Sequence, residues 1–575
     1  DWARSSPILL ICVARPELLD ERPNWGGGKL NATSMLLEPL DEEQSATLVR
    51  ELLGDADLPV DVQKKIADTA EGNPLYVEQM LEMLIDNGYL VRDGGSWRST
   101  QPADTISVPP TIHALLAARL DRLALNERQT IERASVIGKV FYSGAVREMT
   151  PASGRGELRH NLQTLVRKEL VRPDEDRLVG EDSFRFRHIL IRDAAYNGLS
   201  KQQRAELHRV FADWLEKRPQ ERLQDLQEIV AHHLSESYRY RSELGPVTDE
   251  ARAIAVKAAR LSRAAGRRAM NRGDAAAAGK LLTRAEHLLP QDSDERTELL
   301  LELVDLQNQI GDFDRANRLL DQIVASKDGP SVANRVAMAR LLIQLMWAPG
   351  EASLEDLETG AVKGIAVAEE TGDMRTLAMG WMIQLIVDLT RGQMGRGVES
   401  GRKALRYIRS SSDRSQEGEV MGWLFACLAL GPMPIREAVA EIESEVQGPE
   451  SLIVTCSAAV VKGTLLAYEG DLETGRELVE EGREMFRQLG NQINWAGLGQ
   501  SAAEVEILAG DLPKACAVLE EACEVLDGIG ERSFFSTCAG ELAGHLCSLG
   551  RFEEAETWAT KSRDVGAIED VFTEV

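Results

Sequence analysis

The chain has 575 residues, of which 43% are hydrophobic, and a formal net charge of −27 at pH 7. This length gives room for about three or four domains. The acidic balance argues against nucleic acid or an anionic membrane as the main partner, because either would need a basic surface. No apolar run approaches the roughly 18 to 20 residues of a membrane span.

The cysteine and histidine patterns exclude several kinds of site. Seven cysteines without a CxxC pair are typical of a reduced, cytoplasmic chain with buried thiols. None of the eight histidines belongs to an HExxH motif, and GxSxG is absent. We therefore predict no metal site and no catalytic residue in this chain.

Residues 1–40 have the pattern of the end of an α/β core. The apolar runs SPILLICVA, residues 6–14, and SMLL, residues 34–37, predict two neighbouring parallel strands. Two parallel strands do not form a stable sheet, because such sheets need several strands and helices on both faces. We therefore expect the chain to be the C-terminal part of a longer protein.

The segment PNWGGGKL, residues 23–30, is glycine-rich but lacks the spacing of a phosphate-binding loop. A P-loop requires GxxxxGK[ST], in which the first glycine makes the tight turn and Ser or Thr binds magnesium. Pro23 stands in place of that glycine and Leu30 in place of the hydroxyl residue. The segment is interpreted as a connecting loop, and the P-loop is missing.

Residues 41–104 are predicted to form a helical segment that resembles a lid. Asn73 has the position of a helix cap, and Pro74 that of the first helical residue. The helix that follows, YVEQMLEMLID, is expected to stop at Asn87 and Gly88. A well-capped helix would by itself explain these residues.

Residues 105–200 have the order of elements of a winged helix. Three helical stretches, TIHALLAARLDRL, ERQTIERASVIG and ELRHNLQTLVRKEL, precede two short strands, LVRPD and SFRFR. Such a module can contact DNA, but the acidic chain makes nucleic acid an unexpected partner. Residues 201–249 are helical and polar, and we predict that they form a linker.

Residues 250–575 are predicted to form an α-solenoid of helical hairpins with a period of about 40 residues. A turn glycine recurs at Gly273, Gly311, Gly392, Gly470, Gly510 and Gly550, with degenerate units near Gly350 and Gly431. This spacing is typical of stacked helix–turn–helix repeats and resembles tetratricopeptide repeats. Buried small residues are expected where helices cross, at Ala278, Ala515 and Ala555.

Residues 1 to about 240 resemble the STAND branch of signalling ATPases, which is related to AAA proteins. The order of SPILLICVARPELL, NATSMLLEPLDEEQ, EGNPLYVEQML and FRFRHILIRDAAYNGL carries this resemblance. It is most similar to the ATPase modules attached to bacterial class III adenylate/guanylate cyclases. The chain is thus predicted to be mainly α, with an α/β remnant, a helical lid, a winged helix and a solenoid.

The resemblance implies nucleotide-binding roles for five residues. Arg15 resembles the sensor arginine that contacts the terminal phosphate, with a surface ion pair as the alternative. Gly72, Asn73 and Pro74 resemble the element that packs against adenine. His188 resembles the histidine that touches the diphosphate, although Arg187 and Ile189 depart from that motif and a core histidine is the alternative. ATP or ADP with magnesium is expected as cofactor only in the longer protein.

The sequence as a whole predicts a nucleotide-dependent sensor region of a bacterial signalling protein. Its expected partners are a protein or peptide ligand on the solenoid and an N-terminal effector domain, such as an adenylate or guanylate cyclase. A STAND-class transcription regulator is one alternative, although no helix-turn-helix follows the repeats. A repeat scaffold with an inactive ATPase is the other.

Overall fold

The computed structural model describes residues 9, 11–14, 18, 35–53, 58, 60–93, 96–101, 111–175, 181–218, 220–326, 329–347, 353–410, 416–446 and 452–566. These residues belong to two compact units, Asp1–Leu199 and Ser200–Val575.

The first unit combines short helices with two small antiparallel sheets. Its elements are α1 (Glu42–Leu52), α2 (Val60–Ala70), α3 (Pro74–Asp86), β1 (Leu90–Asp93), β2 (Ser96–Ser99), α4 (Ile112–Asp121), α5 (Leu125–Ile137), β3 (Val140–Tyr142), α6 (Ser143–Met149), α7 (Leu158–Arg167), β4 (Val171–Asp174), β5 (Ser183–Phe186) and α8 (Ile189–Asn197). A capping box at Asp41 begins α1, with Gln44 N donating to the Asp41 carboxylate at 2.7 Å.

The three-stranded sheet of the first unit has the order β3-β5-β4. Phe184 of β5 lies opposite Phe141 on one side and Pro173 on the other. The buried rings of Phe141 and Phe186 are 5.3 Å apart and join this sheet to the core beneath it. Helices α4, α5 and α7 and strands β4 and β5 correspond to the predicted helices and strands, whereas β3 and α6 between α5 and α7 were not predicted. The assignment of these elements as a winged helix stays a prediction.

The two strands predicted for residues 6–14 and 34–37 are not seen where the structure describes these segments. Residues 11–14 and 35–37 have no regular structure, and Val13 and Met35 are 84% and 79% exposed. A parallel strand is stable only between neighbouring strands and under covering helices. In the described part of the chain, neither segment has a neighbouring strand or a covering helix. The glycine-rich stretch 23–30 lies outside the described residues.

The second unit is helical throughout its described residues. Its helices are α9 (Lys201–Glu216), α10 (Gln220–Leu244), α11 (Asp249–Asn271), α12 (Ala275–Leu288), α13 (Asp294–Ile310), α14 (Phe313–Ser326), α15 (Pro330–Trp347), α16 (Leu354–Thr371), α17 (Met374–Thr390), α18 (Met394–Ser410), α19 (Glu417–Leu430), α20 (Ile435–Glu445), α21 (Leu452–Tyr468), α22 (Leu472–Gln488), α23 (Gln492–Gly497), α24 (Gly499–Leu508), α25 (Leu512–Ile529), α26 (Ser533–Ser548) and α27 (Phe552–Val565). Successive helices pack as hairpins, and the hairpins stack into the predicted α-solenoid.

The repeated Gly-Asp pair explains the period of the sequence. The turn glycine takes a left-handed conformation, as at Gly470 with φ 98°, and this ends the first helix of the hairpin. The next residue, Asp471, accepts a hydrogen bond from Thr474 N at 3.2 Å and begins the second helix. Gly510 and Asp511 repeat the arrangement. One dipeptide thus terminates one helix and caps the next.

Small residues allow the helices of the solenoid to approach closely. Ala278, Ala515 and Ala555 are buried, as the repeat pattern predicted. A Cβ added at Gly266 would lie 2.8 Å from Leu282 Cδ2 of the paired helix. Substitution at such crossings would therefore push hairpins apart.

Residues 201–249, predicted as a linker, form a hairpin that packs on the solenoid. Helices α9 and α10 contact each other, and α10 packs against α11 within the second unit. The polar composition concealed this because the apolar residues form narrow stripes, with Phe211, Trp214 and Val230 buried. None of the described helices of either unit is long and apolar enough to cross a lipid bilayer.

Candidate functional site

The predicted adenine element begins helix α3 and is used for local packing. Asn73 Oδ1 accepts hydrogen bonds from Leu75 N at 3.1 Å and Tyr76 N at 3.3 Å, and Pro74 is the first helical residue. Gly72 has a φ of 75°, and an added Cβ would lie 2.8 Å from Leu40 N. Leu40 N also donates to Gly72 O at 2.8 Å. The space that the missing side chain of Gly72 leaves open is therefore occupied by the backbone of Leu40.

His188 caps helix α8. Its Nδ1 accepts a hydrogen bond from Leu190 N at 3.1 Å. Burial lowers the pKa of His188, and the nearby charge of Glu78 partly opposes this shift. Arg187 Nη2 lies 3.5 Å from the carboxylate of Glu78, which is one helical turn after Pro74. The structure thus brings His188 into the neighbourhood of the predicted adenine element.

Two features near His188 bear on the nucleotide-binding roles, which stay a prediction. Gly72 is covered by Leu40, and the carboxylate of Glu78 would repel a diphosphate. Among the described residues no cluster of three or more His, Cys, Asp or Glu side chains could hold a metal ion. Arg15 lies outside the described residues, so its role stays a prediction.

The second unit contains a groove on the side formed by the first helices of consecutive hairpins. Helices α17, α19, α21, α23, α24 and α26 contribute to a cavity of about 260 Å³. Its apolar wall includes Ile386, Leu389, Trp423, Leu430, Ile453, Val461, Leu498 and Phe534. Because these helices lie side by side, the groove extends over several repeats, as expected for the inner face of a helical solenoid.

Contacts between distant hairpins close one end of the groove. Trp423 of α19 stacks on Phe534 of α26, with ring centroids 5.3 Å apart and ring planes at 7°. Arg532 N, just before α26, donates to Met346 O at the end of α15 at 3.2 Å. Trp347, which follows Met346, stacks on Phe313 at 5.7 Å. The C-terminal hairpins are therefore held against hairpins far upstream in the chain.

Several polar side chains that line the groove have no partner within the described part of the chain. Glu419, Ser457, Asn494 and Ser501 line the cavity and make no side-chain hydrogen bond or ion pair there. Burial, assisted by the charge of Asp305, raises the pKa of Glu419 to about 7. Groups that are partly removed from water without a partner have unused hydrogen-bonding capacity.

Two further carboxylates line the groove, and each has one polar partner. Glu541 accepts from Gln500 Nε2 at 3.0 Å, and burial raises the pKa of this carboxyl to about 7. Glu504 accepts from Tyr468 Oη at 3.1 Å. No lysine, arginine or histidine is among the described residues that line the cavity. The groove is therefore lined by carboxyl groups and by an apolar wall, without a basic side chain among the described lining residues.

None of these groove residues was predicted from the sequence. Glu419 and Trp423 stand four residues apart on α19, which places them on one face of the helix. That spacing is too common in helices to mark a site. The repeat pattern predicted that an inner face exists, but it did not indicate which side chains line it.

Comparison with known proteins adds two sequence matches. Residues 41–92 match a family described as Domain of unknown function (DUF8739). Over 205 residues the chain is 25% identical to an uncharacterized protein of Rhizobium meliloti (strain 1021), an alignment that covers 35% of this chain and 19% of that protein. The chain thus spans about a fifth of the length of this relative.

Solved structures with a loose likeness to this chain were also found. A STAND protein with a tetratricopeptide repeat sensor from Pyrococcus horikoshii is 15% identical, with a TM-score of 0.46 over 94% of this chain and 75% of that chain. A Rap protein complexed with Competence and Sporulation Factor is 10% identical, with a TM-score of 0.33 over 50% of this chain and 78% of that chain. The apo quorum sensor NprR from B. thuringiensis is 14% identical, with a TM-score of 0.31 over 53% and 98%. These are loose likenesses, and we take no function from them.

Proposed function

We propose that this chain is the sensor and coupling region of a multidomain bacterial signalling protein. In this proposal the solenoid binds a protein or peptide ligand, and the first unit transmits that event to an effector domain. The effector is an N-terminal adenylate or guanylate cyclase, and the coupling depends on ATP or ADP with magnesium in the longer protein. The cyclase and the nucleotide follow from the sequence resemblance alone.

The observation that carries the sensor role is the groove of the second unit. It combines a stacked aromatic pair, Trp423 and Phe534, with polar side chains that lack partners in the described residues. A peptide brings both apolar side chains and backbone groups that must be hydrogen-bonded when buried. Ser457 on α21, Asn494 on α23 and Ser501 on α24 supply such partners along the groove.

Coupling is proposed to proceed through a two-state change of the longer protein. A ligand shifts such an equilibrium only by its difference in affinity for the two states. The groove provides for such a difference, because it is closed by contacts between hairpins that are distant in the chain. A ligand that bridges them favours the closed arrangement.

The proposal is tested by measuring cyclic nucleotide formation by the longer protein with and without the ligand. We expect Arg15→Ala to reduce the discrimination between ATP and ADP, with a loss of about 1.5 to 3 kcal/mol if a charge-assisted hydrogen bond to phosphate is removed. Arg50→Ala, at an exposed position of α1, is the matched control.

The same measurement separates the alternatives. A longer protein that forms no cyclic nucleotide but binds a promoter in response to nucleotide would be a transcription regulator. One that does neither and shows no nucleotide preference would be a scaffold. The chain as given is expected to hydrolyse no ATP, and turnover abolished by Lys29→Ala would show that residues 23–30 act as a phosphate-binding loop.

A further inference from the structure

We infer that the groove of the second unit recognises a lysine or arginine side chain of an extended peptide, with the cation held between Glu419 and the Trp423–Phe534 stack. This inference rests on the proposed sensor function and deepens it. It specifies that the ligand carries a cationic side chain and that this side chain binds beside Glu419 and Trp423.

Charge complementarity is the first argument. The cavity is lined by the carboxyl groups of Glu419, Glu504 and Glu541, and by no basic side chain among the described residues. Glu504 and Glu541 already have polar partners on Tyr468 and Gln500. Glu419 has no partner there and is thus the carboxyl group with a vacant site for a ligand donor.

The position of the aromatic pair is the second argument. Trp423 lies one helical turn after Glu419 on α19, so both side chains face the same part of the groove. A cation within about 6 Å of a tryptophan ring is attracted by the ring quadrupole, most strongly where water is excluded. An apolar wall next to a carboxylate also suits the long aliphatic stem of lysine or arginine.

The environment of Glu419 favours a cationic ligand over a neutral one. Burial and the charge of Asp305 on α13 raise the pKa of Glu419 to about 7. Asp305 forms an ion pair with Arg375 of α17 and accepts from Gln416 Nε2 at 3.1 Å, so a polar layer lies behind this end of the groove. A cation placed at Glu419 would restore the ionised form by direct attraction.

A peptide satisfies the remainder of the groove better than a small amine does. Ser457 on α21, Asn494 on α23 and Ser501 on α24 continue the line of unpartnered polar groups beyond α19. An extended backbone presents a donor and an acceptor at each residue, which matches such a row.

The experiment exposes the 575-residue chain to a positional-scanning library of N-acetylated, C-amidated hexapeptides at pH 8. We expect lysine and arginine to be enriched about ten- to hundredfold over glutamine at one position. Glu419→Gln should abolish this enrichment, and Glu419→Asp should retain part of it. Glu437→Gln, which removes an exposed charge from α20, should leave it unchanged.

The outcomes separate the inference from the proposed function. Capture of peptides without preference for lysine or arginine, or a preference that survives in Glu419→Gln, would overturn the inference and leave peptide binding intact. Enrichment of acidic residues would also overturn it. Capture of no peptide would overturn both. Equal hydrogen-exchange protection of α19 in all variants would verify that the mutants are folded.

Discussion

Gly463 of α21 and Gly475 of α22 lie where these two helices approach most closely. We predict that replacing glycine by alanine destabilises the protein at this contact, although the same change stabilises it at an open helical position. A Cβ added at Gly475 would lie 2.7 Å from Gly463 O and 3.0 Å from Ala467 Cβ. The first of these atoms belongs to the backbone, so no side-chain rotation relieves the clash. Gly475→Ala must therefore move the two helices apart.

The expected magnitude follows from two opposing terms. Replacing glycine by alanine inside a helix stabilises it by about 0.8 to 1 kcal/mol. Overpacking at a close contact destabilises by about 1 to 3 kcal/mol. The difference of the two terms is a decrease of about 0 to 2 kcal/mol in the free energy of unfolding of this hairpin for Gly475→Ala.

Gly544 of α26 is the matched control, because an added Cβ there meets no atom within 4 Å. Gly544→Ala should raise local stability by about 0.5 to 1 kcal/mol. Native-state hydrogen exchange on each hairpin is the appropriate assay, since long repeat arrays need not unfold in one step. If both substitutions stabilise equally, the helices are not packed as closely as the structure shows.

Three further predictions concern the two units. Ala515→Leu should reduce hydrogen-exchange protection in α24–α27 by overpacking that corresponds to about 1 to 3 kcal/mol, whereas protection in the first unit should not change; uniform loss along the chain would contradict this. Glu419→Gln should leave the free energy of unfolding nearly unchanged at pH 4.5 and raise it by about 1 to 3 kcal/mol at pH 8. The reason is that the folded protein favours the protonated carboxyl of Glu419, so the wild type loses stability as the pH rises from 4.5 to about 7. An equal difference at both pH values in urea titrations would refute this prediction. Asn73→Ala should lower the thermal stability of the first unit by about 1 kcal/mol through loss of the α3 cap, and an unchanged unfolding temperature would show that the cap is dispensable.

The solenoid could be predicted from the sequence because its signals are local. The left-handed turn at Gly470 and the cap at Asp471 are adjacent residues, and the same pair recurs at Gly510 and Asp511. The degenerate unit near Gly431 was predicted only from the spacing, since Gly431 has an extended backbone with φ −85°. Gly350, which marks the other degenerate unit, lies outside the described residues. Local signals of this kind need no knowledge of tertiary contacts.

The N-terminal strands were predicted by the same reasoning and are not seen in the described residues. Apolar runs such as residues 6–14 indicate what a segment can bury, but not whether a partner is present to cover it. A strand depends on hydrogen bonds to other segments, whereas a helix satisfies most of its backbone internally. The pattern was therefore informative for helices and for β4 and β5, which pair with each other, and it was insufficient for the N-terminal segments.

The predicted nucleotide residues show the limit of motif reasoning in another form. Asn73 and Pro74 cap α3 as expected, and His188 caps α8, which is the structural alternative to a ligand contact. Capping explains these residue types without a cofactor. Only the tertiary structure shows that Glu78, on the helix that Asn73 caps, lies near His188 and Arg187.

The groove was beyond prediction because residues from separate hairpins create it. In a simple solenoid each repeat contacts only its neighbours, so ligand binding has mainly local effects. Here the Trp423–Phe534 stack and the bond from Arg532 N to Met346 O join non-neighbouring hairpins. The stability of the C-terminal hairpins therefore includes a term that depends on α15 and α19. A ligand that contacts Glu419 and Phe534 together would strengthen the contact between α19 and α26. Ligand binding in the groove would therefore stabilise both the hairpin that contains α19 and the hairpin that contains α26.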